Sequence, residues 1–331
     1  MDAVLRRLAE DSIGAAELSR EFSQTVARYL NRRSGVSVRT YGAALSAGIR
    51  SLALAPGARI GLSVLSHAAV ARIMESHGLV PVPLDTQKLL PILPSPLDVD
   101  YSTDGLSAIY VDTRLGFIPD LDALSQLGIP LIEDVSEGFG GNTGSVMAGS
   151  LGELTIVGLE PEHIVTAGGG ATVITSNTRR VAALTAATDP GIGEASLPDM
   201  NAAMGLTQMK QLEAFISRRR ELAERFLRVL QRGKHTMPLQ GGEGEAIFPS
   251  LPVLVASSPR EVEQYARSHG VHAERAFQDT VLSTYSDAEE DVARLFPNAL
   301  SLAGRMVLFP LYPTLGKSEQ ELMERVLATM P

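Results

Sequence analysis

Short apolar segments alternate with helix-like segments through the first 135 residues, and this alternation restricts the fold more than any other feature of the chain. Apolar, strand-like segments fall at residues 60–65, 80–84, 107–111 and 130–133. Helical spacing of apolar residues is found at 14–31, 42–54, 67–77 and 120–127. Strands that are separated by helices pair in parallel, with the helices covering the faces of the sheet. The sequence therefore predicts an α/β fold with a mostly parallel sheet flanked by helices.

The pattern changes towards the C-terminus. Two more strands are indicated at 154–157 and 171–175, and a long amphipathic helix at 200–231. After Gly233, short strands alternate with helices in a way that is typical of a smaller α+β unit. We therefore predict a large domain over residues 1–232 and a small C-terminal α+β domain over residues 233–331.

The composition excludes several classes of site and partner. The chain has 331 residues, carries a net charge of −9 and contains no cysteine. The absence of cysteine excludes disulfides, iron–sulfur clusters and thiol nucleophiles. An acidic surface repels nucleic acid and anionic membranes, so neither is expected as a partner. The six histidines are scattered without metal-binding spacing, so no metal site is expected.

The sequence predicts no targeting segment. Its first residues include an early acid, Asp2, and no apolar segment follows them, which is unlike a signal peptide. No apolar run reaches the roughly 18 residues that a membrane-spanning helix needs. The expected location is the cytoplasm.

Three separated segments carry a resemblance to a known family. Residues 131–140 read Leu-Ile-Glu-Asp-Val-Ser-Glu-Gly-Phe-Gly, residues 149–153 read Gly-Ser-Leu-Gly-Glu, and residues 199–208 begin a long helix. In this order they resemble the I-E-D-A-A-Q-A-H-G element, the G-S-x-G-D element and the following helix of the DegT/StrS-type sugar aminotransferases. Residues 308–313 are similar to that family's L-P-L-Y-P segment. The resemblance implies a fold type I aminotransferase-like fold, a sugar-type substrate and an active site at a dimer interface.

The resemblance puts a histidine where the family has its catalytic lysine. The family's S-F-H-P-x-K segment corresponds to residues 158–163, so His163 takes the place of the lysine. An amine is required to hold pyridoxal 5′-phosphate (PLP) in a covalent Schiff base, whereas an imidazole can only transfer protons. Ordinary transamination is therefore not expected.

Positions that bind the cofactor phosphate in the family also differ here. The family's S-S-G-T turn corresponds to residues 40–43, with Gly42 retained and Ala43 in place of the threonine, and Gly158 replaces a serine. An asparagine that reaches the phosphate from the partner subunit corresponds to Glu194, whose carboxylate would repel phosphate. Losing several hydrogen bonds of about 1–3 kcal/mol each predicts weak phosphate binding. We therefore expect no cofactor at the matching positions, which are Gly42, Ala43, Asp134 and Gly158.

The polar residues at the other matched positions predict a remodelled pocket. Asp134 corresponds to the carboxylate that pairs with the pyridinium nitrogen in the family, and His67 to the aromatic residue that stacks on the ring. The predicted catalytic residues are His163, Asp134 and Glu137. The predicted substrate-pocket residues are His67, Glu160, Glu194 and Tyr41.

Three functions are compatible with this pocket. The first is a protein of a sugar or natural-product pathway that has lost PLP Schiff-base chemistry, either a cofactor-independent enzyme that uses acid–base chemistry around His163 or a non-catalytic pseudoenzyme. The second is a sugar dehydratase that depends on pyridoxamine 5′-phosphate (PMP) and uses His163 as a base. The third is a PLP-dependent aminotransferase. The resemblance implies a homodimer, or a heterodimer with an active aminotransferase, and a small-molecule substrate.

Overall fold

A computed structural model describes residues 2–10, 14, 17–102, 105–188, 195–241, 244–285 and 289–331. The helices are α1 (Asp2–Ala9), α2 (Glu17–Tyr29), α3 (Tyr41–Leu52), α4 (Ala68–Ser76), α5 (Leu121–Ser125), α6 (Thr178–Thr188), α7 (Asp199–Leu230), α8 (Pro259–Ser268), α9 (Glu289–Leu295), α10 (Pro297–Ala303) and α11 (Lys317–Thr329). The strands are β1 (Ser34–Val38), β2 (Arg59–Ser63), β3 (Val80–Leu84), β4 (Ala108–Asp112), β5 (Leu131–Asp134), β6 (Asn142–Thr143), β7 (Val146–Met147), β8 (Leu154–Gly158), β9 (Ala171–Thr175), β10 (Gly244–Glu245), β11 (Ser250–Leu254), β12 (Glu274–Arg275) and β13 (Met306–Pro310).

A seven-stranded sheet organises the larger part of the molecule, in the order β1-β9-β8-β5-β4-β2-β3. The strands from β8 to β3 run parallel, while β9 is antiparallel to both β8 and β1. The predicted mostly parallel sheet flanked by helices is therefore confirmed. Strand β1 was not expected, because Ser34–Val38 is short and contains serine and glycine.

The edge position of β3 in this sheet agrees with its proline content. Strand β3 contains Pro81 and Pro83, which cannot donate to a ladder, and it pairs only with β2. The central strands β4, β5 and β8 are buried along their whole length. Buried parallel strands are apolar on both faces, so the polar residues at their ends stand out as candidates for a site.

Two small sheets complete the fold. Strands β11, β13 and β12 form one, in the C-terminal part of the chain. In the other, β10 pairs with β6, so the chain after residue 232 first pairs with the segment between β5 and β8 and then builds the C-terminal sheet. The domain division at residue 232 stays a prediction. None of the helices in the described ranges is long and apolar enough to cross a membrane.

Candidate active site

A cavity of about 230 Å³ lies at the carboxyl ends of β4 and β5. Its lining includes six residues that the sequence predicted for the pocket: Tyr41, His67, Asp134, Glu137, Glu160 and His163. It also includes residues that the prediction missed, among them Tyr110, Asp112, Arg114 and Ser136. The predicted positions Gly42, Ala43 and Gly158 do not line it. Glu194 lies outside the described residues.

Asp134 is the centre of a hydrogen-bond network at the end of β5. Its Oδ2 accepts hydrogen bonds from the hydroxyls of Tyr41 and Tyr110, each at 2.6 Å. Its Oδ1 accepts from the backbone N–H of Ser136 at 2.9 Å and from the Ser136 hydroxyl at 2.5 Å. Both oxygens of this buried carboxylate are thus fully used.

The two tyrosines act as donors to Asp134. Burial raises the pKa of the Tyr41 and Tyr110 hydroxyls well above its ordinary value, and the negative charge of Asp134 raises it further. The two hydroxyl oxygens lie 2.8 Å apart. Both side chains therefore keep their protons at all ordinary pH values and hold Asp134 in place.

The neighbouring acid, Glu133, has a different role because side chains alternate along a strand. Its carboxylate points away from the cavity and accepts hydrogen bonds from the backbone N–H groups of Gly149, Leu151 and Gly152. Glu133 thus fixes the turn after β7, and only the second acid of the Glu133-Asp134 pair belongs to the site.

Glu137 is held by an ion pair with Arg114. Its other oxygen accepts the backbone N–H of Leu115 at 2.5 Å, a residue in the left-handed region with φ of 54°. Such a conformation is unfavourable for leucine unless its surroundings enforce it. Glu137 therefore stabilises the turn that carries Arg114 into the cavity, and its predicted catalytic role stays a prediction.

His163 stands over Gly158 in the turn that follows β8. Its Nδ1 accepts the backbone N–H of Glu160 at 3.2 Å, which in the neutral ring puts the proton on Nε2. A Cβ atom on residue 158 would lie 2.6 Å from His163 Cε1 and 2.8 Å from Ser136 Oγ. Gly158 is therefore the residue that makes room for His163, and the two differences from the family pattern are one change.

Asp112 ends β4 beside Asp134, its register partner across the β4–β5 ladder. Burial raises the pKa of Asp112 to about 7, against the lowering effect of Arg114. A signal for this residue was present in the sequence, because an aspartate follows the apolar segment 107–111 as Asp134 follows 130–133. Carboxyl ends of neighbouring parallel strands meet at one edge of a sheet.

A second cavity of about 350 Å³ extends the first towards the C-terminal sheet. The two share the lining residues His67, Arg114, Glu137, Glu162 and His163. His67 Nδ1 lies 3.4 Å from Asp279 Oδ2, and the Arg114 guanidinium lies 5.7 Å from the centre of the Phe277 ring. The combined space is large enough for a ligand that reaches both parts of the fold.

The first turn of α3 retains a capping hydroxyl. The Thr40 side chain accepts the backbone N–H of Ala43 at 3.1 Å, and Tyr41 directs its hydroxyl into the cavity. The Thr40 hydroxyl is therefore used for the helix cap and does not replace the hydroxyl missing at Ala43.

Comparison with known proteins identifies the family. The sequence matches the DegT/DnrJ/EryC1/StrS aminotransferase family over residues 1–330. The chain belongs to this family. The predicted resemblance is therefore confirmed over the whole chain.

Related proteins of this aminotransferase family agree in fold. A dTDP-4-dehydro-2,3,6-trideoxy-D-glucose 4-aminotransferase from Saccharopolyspora spinosa is 24% identical, covering 96% of this chain and 90% of its own length. DesV from S. venezuelae, solved in complex with a ketimine intermediate, is 20% identical, with a TM-score of 0.88 over 99% of this chain and 92% of that one. Spr1654 from Streptococcus pneumoniae is 16% identical, with a TM-score of 0.87, and its PMP-form covers 99% of this chain and 94% of its own. The fold type I prediction is confirmed.

The expectation of no cofactor is wrong. Spr1654 has been solved in a PLP-form and a PMP-form, and the family match covers the whole chain. The sequence argument counted Gly158 and His163 as separate losses, whereas Gly158 only accommodates the histidine. It also overlooked the hydroxyls of Tyr110 and Ser136, which the fold brings to Asp134 together with that of the predicted Tyr41.

The residues around the cavity fit a pyridoxamine-type cofactor. The buried Asp134 carboxylate could accept a hydrogen bond from a ring nitrogen, which would replace the hydrogen bond from one of the two tyrosine hydroxyls. Asp112 adds a second buried carboxyl group to the cavity wall, with the Ser66 hydroxyl beside it. No lysine is found among the cavity-lining residues that the structure describes, so these residues fit a cofactor that brings its own amine.

Proposed function

We propose that this protein is a PMP-dependent enzyme of a sugar or natural-product pathway that removes a hydroxyl group from a sugar, with His163 as the proton-transfer residue. The observation that carries the proposal is the imidazole of His163 over Gly158, in a cavity whose described lining includes a buried aspartate network and no lysine. Bound PMP would supply an amine for a sugar carbonyl and a ring that stabilises negative charge on carbon.

Each residue contributes through its own chemistry. Asp134 would hold the ring nitrogen, and Tyr41, Tyr110 and Ser136 keep that carboxylate oriented. A phosphate group would lie nearest the N-terminus of α3, whose first residue, Tyr41, lines the cavity. His163 would accept a proton at Nδ1 once the Glu160 amide leaves it, and at 3.2 Å that hydrogen bond is long and therefore weak. Arg114 would orient an anionic part of the substrate from the wall between the two cavities.

Other parts of the proposal come from the family. A small-molecule sugar substrate is supported by the curated relative, which is a sugar-nucleotide aminotransferase. We propose a homodimer, and a heterodimer with an active aminotransferase is its alternative. A cytoplasmic location stays a prediction of the sequence.

The second candidate function is transamination, favoured by the activity named for the curated relative. One experiment separates the two. Protein is incubated with PMP and dTDP-4-dehydro-6-deoxy-D-glucose, and separately with PLP, glutamate and the same sugar. The proposal expects a released sugar that is lighter by one oxygen atom in the first mixture, with one PMP consumed as the two-electron donor for each hydroxyl removed, and no amino sugar in the second. An amino sugar that accumulates in the second mixture would instead establish transamination.

The variant His163→Ala tests the role of the imidazole. We expect it to lose water elimination while keeping its melting temperature within a few degrees, because the side chain is only half buried and makes one hydrogen bond. Elimination at the wild-type rate in this variant would remove His163 from the reaction.

A further inference from the structure

Asp112 is a buried acid for which the family resemblance provides no role. Its side chain is 6% exposed and lines the cavity. Its Oδ1 is buried and has no hydrogen-bond partner of normal geometry in the described ranges. A buried carboxyl oxygen without a partner is costly unless a ligand completes it or the group carries a proton. Asp112 is therefore a buried acid of the cavity wall, with the Ser66 hydroxyl beside it, whose carboxyl group can carry a proton.

The other acids and bases at the floor of the cavity are already engaged. Asp134 accepts four hydrogen bonds, and Glu137 accepts from Arg114 and from the backbone of Leu115. His163 has its one free lone pair, on Nδ1, directed at the Glu160 amide. Of the two buried aspartates among the described lining residues, both oxygens of Asp134 accept hydrogen bonds of normal geometry, whereas Asp112 Oδ1 accepts none and has only the Ser66 hydroxyl acting on it.

The charges around Asp112 favour its protonated form. Burial raises its pKa, the nearby charges of Asp134 and Glu137 add to the rise, and Arg114 and the Ser66 hydroxyl oppose it, leaving the pKa at about 7. The hydroxyls of Tyr41 and Tyr110 face the same space and stay neutral. The single positive charge of Arg114 thus lies near the carboxyl groups of Asp112, Asp134 and Glu137. One of the three can therefore keep a proton near neutral pH.

We propose that Asp112 is a catalytic residue that gives its proton to the hydroxyl oxygen leaving the sugar. This inference rests on the proposed dehydration. As the carbon–oxygen bond breaks, the electron pair stays on oxygen, the Asp112 proton joins it, and water departs. In the same step a C–H bond beside the cofactor's amine nitrogen would give its proton to His163. The electron pair of that bond would form the new double bond that expels the hydroxyl, so the sugar would be reduced by two electrons and the bound amine cofactor oxidised by two. The Asp112 carboxylate then regains a proton from solvent, and His163 returns its proton to solvent.

The protonation of Asp112 can be tested on the protein without cofactor or substrate. Infrared difference spectra between wild type and Asp112→Asn, recorded across the neutral range, isolate the carboxyl stretch of this one residue. We expect a protonated carboxyl band that disappears with a midpoint near pH 7. A residue that is already ionised at pH 5 would overturn the proposal, whatever the protein's function.

Turnover then tests the step itself, with PMP and dTDP-4-dehydro-6-deoxy-D-glucose as probes. Asp112→Asn keeps the shape and a hydrogen-bond donor but has no acidic proton, so we expect elimination to fall about 100-fold or more, with the Kd for PMP within about threefold. The wild-type rate should fall about tenfold per pH unit above pH ~7, and the variant should lack this dependence. The exposed Asp98→Asn is the matched control and should behave as wild type.

The outcomes separate the two proposals. An active wild type with an equally active Asp112→Asn overturns the role of Asp112 alone. A wild type that binds PMP but eliminates no water overturns the proposed dehydration and the assigned step with it. Loss of PMP binding in Asp112→Asn, with Asp98→Asn unaffected, would make Asp112 a cofactor-binding group and overturn its role as proton donor.

Discussion

The contact between Gly158 and His163 makes a quantitative prediction about stability. A methyl group at position 158 would lie 2.6 Å from Cε1 and 2.7 Å from Nδ1 of His163, and 2.8 Å from Ser136 Oγ. Ordinary carbon contacts begin near 3.5 Å, so these groups would have to move by almost 1 Å. Overpacking of this kind costs about 1–3 kcal/mol. We therefore expect Gly158→Ala to lower the free energy of unfolding by that amount.

A double-mutant cycle isolates the part of this cost that is due to the histidine. Urea denaturation is measured for wild type, Gly158→Ala, His163→Ala and the double variant. Removing the imidazole frees the space for the methyl group, so we expect a coupling free energy of about 1 kcal/mol or more, of the sign that makes the double variant more stable than the sum predicts. The control is Gly42→Ala, whose Cβ would meet only Ile73 at 3.7 Å and which should be neutral or slightly stabilising in α3. Additivity within about 0.3 kcal/mol would refute the claim that Gly158 exists to accommodate His163.

Two further predictions concern buried charges. Asp112 binds its proton more tightly in the folded protein, with a pKa of about 7 against an ordinary value of 3.8. Its contribution to the free energy of unfolding is therefore greatest below about pH 4 and is lost as the pH rises through 7. The free energy of unfolding of Asp112→Asn should accordingly rise by about 3 kcal/mol relative to that of wild type between pH 5 and pH 8. Thermal denaturation at several pH values checks this, and a pH-independent difference would contradict it. Arg219 donates to the backbone carbonyls of Phe248, Pro249 and Leu311, so Arg219→Met should cost about 3 kcal/mol or more by leaving them unsatisfied. The same change at the half-exposed Arg218 should cost less than about 1 kcal/mol in chemical denaturation, and an equal loss in both variants would contradict the assignment.

The spacing of apolar residues predicted most of the helices and strands, because the apolar residues in these segments are the ones that the fold buries. The strands at 107–111 and 130–133 and the long helix at 200–231 are found as β4, β5 and α7 within one or two residues. Strand β1 was missed, since its side chains are small and its place depends on pairing with β9, more than 130 residues away in sequence. Such distant pairing leaves no trace in a short window.

Site residues at positions matched to the family's motifs were predicted. Site residues that join the cavity only through contacts made in the folded chain were missed. Asp134 and His163 were found because they occupy matched positions. Asp112, Tyr110 and Arg114 were missed, because they come from a strand end and a turn that lie outside the matched motifs.

The wrong expectation about the cofactor also arose because contacts between residues cannot be read from the sequence. Substitutions were counted one by one, and each was treated as a lost hydrogen bond. The contact between Gly158 and His163 shows that two of them are coupled. Additive reasoning fails for groups in contact.

The central claim is that a B6-type cofactor binds here without a covalent bond to the chain, with an imidazole in the place of the lysine. The most direct measurement mixes purified protein with PLP, records the binding by difference absorbance, treats the complex with borohydride and determines the intact mass. We predict saturable binding and an unchanged protein mass, because no lysine is among the described residues that line the cavity. A borohydride-stable adduct on a lysine would contradict the account, and so would the absence of any binding of PLP or PMP.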